Sequence, residues 1–383
     1  MSNKTYDVIG HSEMLADRVR MEAYVQSLRA VCREDAVVLD LGTGTGVMAL
    51  LAGKLGARRV YAVELSNAIL VARELAQVNG LSDRITFLQA ASTEIVLPEP
   101  VDIVVADVRG VLPVVGTSLA TMIDARRFLS RSGVIIPARD TIRAALVERE
   151  EMFELRVGPW RRLDCGLDGS IVERLTLNTW TKDTTPAEAL LTRPSDVLTI
   201  DYASCSEANV SGSFESEVMR GGTAHGLCVW FDTQLVDGIG FSNEPGRPQA
   251  IYGQAFFPLM RPVAVERGDI VNVRLQASQV ADDYVWRWDV AIRSADNVGK
   301  VRLSQSTFFG LPLSMESLRS LDAAATPSRG IDAEIDRFIL GCLDGRTTLA
   351  RIAQTLWAQY PGSFHRADEA LTRVRTVLGR YAE

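Results

Sequence analysis

Histidine is scarce in this chain of 383 residues: only His11, His225 and His365 occur, which excludes a histidine-rich metal centre. The five cysteines, Cys32, Cys165, Cys205, Cys228 and Cys342, are scattered with no C-x-x-C pair. Neither a disulfide framework nor a cysteine zinc site is expected, and a reducing cytoplasm suits them. No run of 18 apolar residues occurs, and the start M-S-N-K-T-Y-D has no apolar signal segment. Membrane insertion and secretion are therefore not expected, and a cytoplasmic location is. Positive charge is also short. A net charge of −7 argues against nucleic-acid binding through the whole surface. What remains is an ordinary globular composition, 47% hydrophobic and 23% charged, long enough for two or three domains.

The most informative stretch is V-V-L-D-L-G-T-G-T-G at 37–46. Its apolar run reads as a buried parallel strand that breaks into Gly42, Gly44 and Gly46, and 47–55 then reads as a helix. Glycines at such a turn let a ligand approach the backbone and let helix pack on strand. A second apolar run, 60–63, ends in Glu64, placed to accept from the hydroxyls of a ribose. Strand, glycine turn, helix, strand and acid in this order indicate a nucleoside site. The glycine spacing is G-x-G-x-G and not the dinucleotide G-x-G-x-x-G, and Asp40 precedes the first glycine.

This pattern resembles motif I of class I S-adenosylmethionine methyltransferases. The segment 11–24, expected as one helix, carries His11, Met14-Leu15, Asp17, Arg20 and Tyr24 in an order that resembles the region before motif I in protein arginine methyltransferases. The resemblance implies a helix covering the cofactor, Arg20 on the methionine carboxylate and Met14 near the sulfonium; an arginine can hold a carboxylate bidentately. It further implies cofactor contacts from Asp40, the three glycines, Glu64 with Leu65, Ser92, Thr93 and Asp107. The stretch 89–94 followed by 101–105 is similar to the family's fourth-strand region, whose loop near Ser92 and Thr93 meets adenine.

The same resemblance implies two glutamates on the loop after that strand, gripping a substrate guanidinium. A cation with five donors needs paired acceptors to orient one nitrogen toward the methyl. Here the loop reads A-D-V-R-G-V-L-P-V-V-G, so that Asp107 stands for the first glutamate and Gly116 for the second. Arg109 adds a positive charge where the family would bind one. Asp107 and Arg109 are the candidate catalytic residues, Asp107 to orient or deprotonate the acceptor. The family's Thr-His-Trp triplet aligns with Ala250-Ile251-Tyr252. Bonds to charged groups contribute roughly 1.5–3 kcal/mol each, so losing a carboxylate that makes two disfavours arginine transfer by about 10²–10⁴-fold.

From residue 140 onward the pattern changes to strand-like runs at 142–147, 197–202, 226–232, 250–259, 270–276, 284–292 and 301–306, separated by turn signals. They suit the antiparallel β-barrel of the resembled family, whose inserted arm, beginning around 160–173, clasps a second subunit; a homodimer follows. Residues 311–329 read as a linker. Beyond them, three amphipathic helices, with Thr347 or Thr348 capping the second, resemble the winged-helix part of PqqD-like domains, which bind leader peptides of ribosomal natural products. Acidic and basic side chains balance there, which argues against phosphate binding.

The expected architecture is thus α/β plus β: a Rossmann-like cofactor domain at 1–138, an antiparallel β-barrel domain at 139–312 and a small winged-helix-like helical module at 325–383. The expected activity is N-methylation, by S-adenosylmethionine with S-adenosylhomocysteine as product, of a side chain in a peptide or amino acid, with no nucleic acid, membrane or metal involved. The alternatives are genuine arginine methylation, with Glu13 or Asp17 as second acid, and a non-catalytic partner that binds cofactor or peptide.

Overall fold

The apolar run at 37–41 forms β1 (Val37–Leu41), buried at every position, in a computed structural model that describes residues 8–163, 165–312, 319, 324–326 and 328–381. A strand buried on both faces belongs in the middle of a parallel sheet. β1 lies there, with β2 (Arg59–Val63), β3 (Ile85–Leu88), β4 (Val101–Ala106) and β5 (Leu129–Ile136) in the order β3-β2-β1-β4-β5. The winding direction reverses between β1 and β4, and open α/β sheets bind ligands beyond the carboxyl ends of strands at such a point. Leu41 is in register with Ala106. The glycine turn after β1 and the loop after β4 therefore leave the sheet side by side, which positions the site.

The single helix expected over 11–24 is two, α1 (Val8–Ala16) and α2 (Arg18–Val31). Asp17 separates them. Its ψ of 93° takes it out of the helix, and its carboxylate accepts the Arg20 N–H at 3.0 Å as the cap of α2. Helices α3 (Val47–Lys54), α4 (Ala68–Val78) and α5 (Ser118–Ala125) connect the parallel strands.

The antiparallel half takes the form of two sheets, with no closed barrel among the described residues. One has six strands: β6 (Arg139–Val147), β7 (Thr181–Asp183), β8 (Ser195–Asp201), β10 (Gly222–Val236), β11 (Ile239–Ser242) and β12 (Gln254–Val265), ordered β7-β12-β10-β6-β8 with β11 on β10. The other is β15 (Gly299–Ser306), β14 (Asp283–Arg293), β13 (Ile270–Val280) and β9 (Val210–Glu217). Residues 250–253, expected in a strand, form a turn with Gly253 at φ +59°. Between β6 and β8 lie helices α6 (Glu150–Arg161) and α7 (Ser170–Leu177).

The chain divides into two compact units at residue 312. The boundary expected at 138/139 falls inside the first. One apolar cluster runs through both halves, from Leu39, Val104 and Ile135 of the parallel sheet to Ile142, Phe257 and Trp288 of the antiparallel ones. The expected linker at 311–329 lies largely outside the described residues. The second unit has helices Ile331–Gly341, Leu349–Gln359 and Ala367–Tyr381 around Ile335, Ile339, Leu356, Phe364, Val374 and Val377. Thr348 caps the middle helix by accepting the Arg351 N–H. No wing strand occurs there among the described residues.

Candidate active site

The turn after β1 is built by positive φ and by two acids. Gly42, Gly44 and Gly46 have φ of +68°, +55° and +86°, values that cost L side chains about 1–2 kcal/mol. A Cβ on Gly46 would also lie 2.7 Å from Ala72 Cβ, and one on Gly44 2.6 Å from the His11 ring. Asp40 closes the turn from below: its Oδ2 accepts the Thr43 hydroxyl at 2.5 Å and the Ala49 N–H at 2.9 Å. Burial pushes this carboxyl up to about 6 against those two bonds. Glu64, beyond β2, accepts the Gly44 N–H at 3.0 Å and the Ser66 N–H at 2.9 Å, one on each oxygen.

A cavity of about 340 Å³ opens over this turn. Met14, Arg20, Asp40, Gly42, Gly44, Glu64, Asp107 and Arg109 all border it, brought together from α1, α2, two strand ends and the loop after β4. Gly46, Leu65, Ser92 and Thr93 do not. Gly46 shapes the turn, Leu65 is two-thirds exposed, and the Ser92 carbonyl accepts from Arg127 at 2.9 Å.

At the far wall of the cavity the charged residues form one buried network. Asp107 Oδ2 accepts Arg20 Nε–H at 2.5 Å and the Tyr252 hydroxyl at 2.6 Å, while Oδ1 accepts Arg109 Nε–H at 3.0 Å. Arg109 Nη1 donates to Asp140 at 3.1 Å and to Thr233 at 2.8 Å; Nη2 donates to the Tyr24 hydroxyl at 2.6 Å. Asp140 accepts the Tyr202 hydroxyl at 2.7 Å. Four rings, of Tyr24, Phe231, Phe241 and Tyr252, lie 5.4–5.8 Å from Arg109 Cζ, within cation–π range. Burial alone would raise the Asp107 carboxyl. The Arg109 and Arg20 guanidiniums, with the Tyr252 hydroxyl, outweigh it and hold it below the usual carboxylate range.

The expected second acid is absent from the position of Gly116, which does not border the cavity. Asp17 does not replace it: its Oδ2 accepts the Ile251 N–H at 2.8 Å, which fastens the start of α2 to the turn carrying Tyr252. Asp140 and Thr233 carry no part of the resemblance, and Tyr24 and Tyr252 enter it only as members of matched segments, with no site role. Asp140 had a signal, since it shares the period-2 inward face of β6 with Ile142, Ala144 and Leu146. Thr233 sits directly opposite it in register.

The donor set suits the cofactor that the glycine motif implies. Each Glu64 oxygen accepts only one backbone N–H among the described residues, leaving lone pairs for ribose hydroxyls. Arg20 Nη2 makes no hydrogen bond among the described residues while Nε and Nη1 are engaged, so one nitrogen of the guanidinium remains to donate to a carboxylate.

Residues 138–293 match the family described as the arginine methyltransferase oligomerization subdomain, and residues 22–159 the family of ribosomal protein L11 methyltransferase. Protein arginine N-methyltransferase 1 of Schizosaccharomyces pombe is 30% identical over 271 residues, 68% of this chain and 79% of that protein. Protein arginine N-methyltransferase 1.1 of Arabidopsis thaliana is 28% identical over 277 residues, covering 70% and 71%. Among solved structures, the Trypanosoma brucei PRMT1 enzyme-prozyme heterotetrameric complex with AdoHcy superposes with a TM-score of 0.72 at 26% identity, over 77% of this chain and 97% of that one. Arabidopsis thaliana protein arginine methyltransferase 10 shares the fold, with a TM-score of 0.69 at 23% identity over 79% and 98%. A shared core, a parallel-sheet site and matches along both halves agree, and the chain belongs to the protein arginine N-methyltransferase family.

Proposed function

We propose that this S-adenosylmethionine-dependent methyltransferase acts on a side-chain nitrogen other than a guanidinium, in a peptide or amino acid. The observation that carries this is the occupation of Asp107 by the chain's own groups. Three of the roughly four acceptor positions of its carboxylate are filled, two on Oδ2 by Arg20 and Tyr252 and one on Oδ1 by Arg109, so it cannot grip a second guanidinium bidentately. The buried network holds two guanidiniums and two carboxylates, Asp107 and Asp140, so no net negative charge remains to attract a cationic acceptor.

Bound S-adenosylmethionine supplies an electrophilic methyl group on a sulfonium. Glu64 would hold its ribose, Arg20 its carboxylate and Met14 the neighbourhood of the sulfonium, with Gly42 and Gly44 leaving room for its backbone approach. Arg20 spans the carboxylate site and Asp107, and so fixes the Asp107 carboxylate, which meets the acceptor, relative to the cofactor. Asp107, kept ionised, has one lone pair left on Oδ1 to accept a single hydrogen bond from the incoming nitrogen, and Arg109 fixes the Asp107 rotamer. Positioning of this kind supplies much of the rate in such transfers.

Homodimerisation belongs to the same reading. The match to an oligomerization subdomain supports it, as do exposed Leu155, Leu167 and Ile171 on and between α6 and α7, where an intersubunit arm was expected. The peptide-recognition role of the second unit rests on its sequence resemblance. Arginine methylation is the second reading, favoured by the names of the relatives; it requires Arg109 to leave its partners.

The test is to incubate the protein and its host's size-fractionated extract with methyl-labelled S-adenosylmethionine and hydrolyse what becomes labelled. Label on an amide, amine or imidazole nitrogen is the expected result, lost in Asp107→Asn. Methylarginine would replace this reading with the second.

A further inference from the structure

Arg109 is held as a bound guanidinium is held. Three of its nitrogens donate to four acceptors, two of them carboxylates, and four aromatic rings lie within cation–π range of its Cζ. Its side chain is 2% exposed, yet it borders the cavity that also holds Arg20 and Asp107. The acceptors come from separate elements: Asp107 from the same loop, Tyr24 from α2, and Asp140 and Thr233 from paired positions of β6 and β10. An arginine serving only to tie two loops would need one such partner, and would not need a wall of the cavity.

We propose that Arg109 is a built-in occupant of a guanidinium subsite, and that its presence there is what bars arginyl side chains from this enzyme. The inference rests on the reading of a non-guanidinium acceptor and adds its cause. Without the side chain, the network retains Asp107 and Asp140 with Arg20 alone, a net charge of minus one beside an opening shaped for a planar fork. The truncated site would take an external guanidinium in preference to an ammonium of equal charge, because only the fork reaches Asp107, Asp140 and Thr233 together.

The experiment uses the full chain carrying Arg109→Ala. Thermal unfolding is followed by tryptophan fluorescence with millimolar methylguanidinium, methylammonium or urea. Methylguanidinium is expected to raise the variant's midpoint by roughly 2–6 °C, with much smaller shifts from the other two and none in the wild type. Equal shifts in variant and wild type would overturn the proposal. If the variant is insoluble, soluble yield with and without methylguanidinium becomes the readout: recovery supports the subsite, and no recovery overturns it. The wild type is assayed in parallel for transfer from labelled S-adenosylmethionine to an arginine-containing peptide. Methylarginine from the wild type removes the parent reading and this inference together. A wild type inert toward arginine, with a variant indifferent to methylguanidinium, removes the inference alone.

Discussion

Tyr252→Phe isolates one polar contact in the network. The hydroxyl donates to Asp107 Oδ2 at 2.6 Å and accepts from Arg20 Nε at 3.2 Å. The ring is held independently, stacked on Phe241 at 5.9 Å and edge-on to Phe231 at 5.2 Å, so phenylalanine retains the packing. Arg20 Nε keeps its shorter bond to Asp107 when its 3.2 Å contact with the hydroxyl goes, so the main loss is the charge-assisted bond to Asp107, about 1.5–3 kcal/mol. Urea unfolding with tryptophan fluorescence reads mainly the first unit, since only Trp357 lies in the second. The midpoint should fall with the slope unchanged. The pH dependence follows from linkage. Asp107 has a folded pKa below its ordinary value of 3.8, so its contribution is present above that value and is lost as pH falls through the folded one. The difference between variant and wild type should be full at pH 7 and shrink below about pH 4. A difference under about 0.5 kcal/mol, or one that ignores pH, would refute the coupling between hydroxyl and carboxylate.

Arg20→Ala should weaken S-adenosylmethionine binding by about 10–150-fold in equilibrium dialysis, from the loss of one or more charge-assisted bonds; unchanged affinity would move the carboxylate elsewhere. Gly46→Ala combines an unfavourable φ with a Cβ 2.7 Å from Ala72 and should cost about 2–5 kcal/mol. Gly80→Ala, at φ +67° with nothing within 4 Å, should cost only the backbone part; equal losses in a thermal melt would discount the Ala72 contact. In cofactor-free protein, Asp40 binds its proton more tightly folded (about 6) than at its ordinary 3.8. Stability therefore falls as pH rises between those values, by about 3 kcal/mol. Asp40→Asn should abolish that part of the slope, so the variant gains on the wild type between pH 4.5 and 7; a constant difference in urea midpoints would exclude it.

The parallel half was legible because its signals are local. An apolar run ending in spaced glycines can bury both faces and turn sharply in few other ways, whereas Asp107 followed from the resemblance of its loop to the family's double-glutamate loop and from its place after an apolar strand. The break at Asp17 was missed because apolar periodicity runs across it while the cap is set by one side chain. β9, V-S-G-S-F-E-S-E, has alternating burial but small and polar residues, so its strand character comes from pairing with β13. Tyr252 carried no local signal as a network member. Its neighbours suggest a strand, and its role exists only once Asp17 holds Ile251 and the turn meets α2.

The groups that compensate Arg109 are spread from Tyr24 to Thr233, and those of Asp107 reach Tyr252. During synthesis the ribosome releases the parallel half first, at roughly 5–20 residues per second. For several seconds the nascent chain carries Arg20, Asp107 and Arg109 without Asp140, Thr233 or Tyr252. Their burial has to wait until the long strand β10 and the turn after β11 have emerged and docked. A fragment ending at 138 would keep Asp107 between Arg20 and Arg109 but be left with one excess positive charge where the intact unit has its interior, so it should fold poorly without the second half.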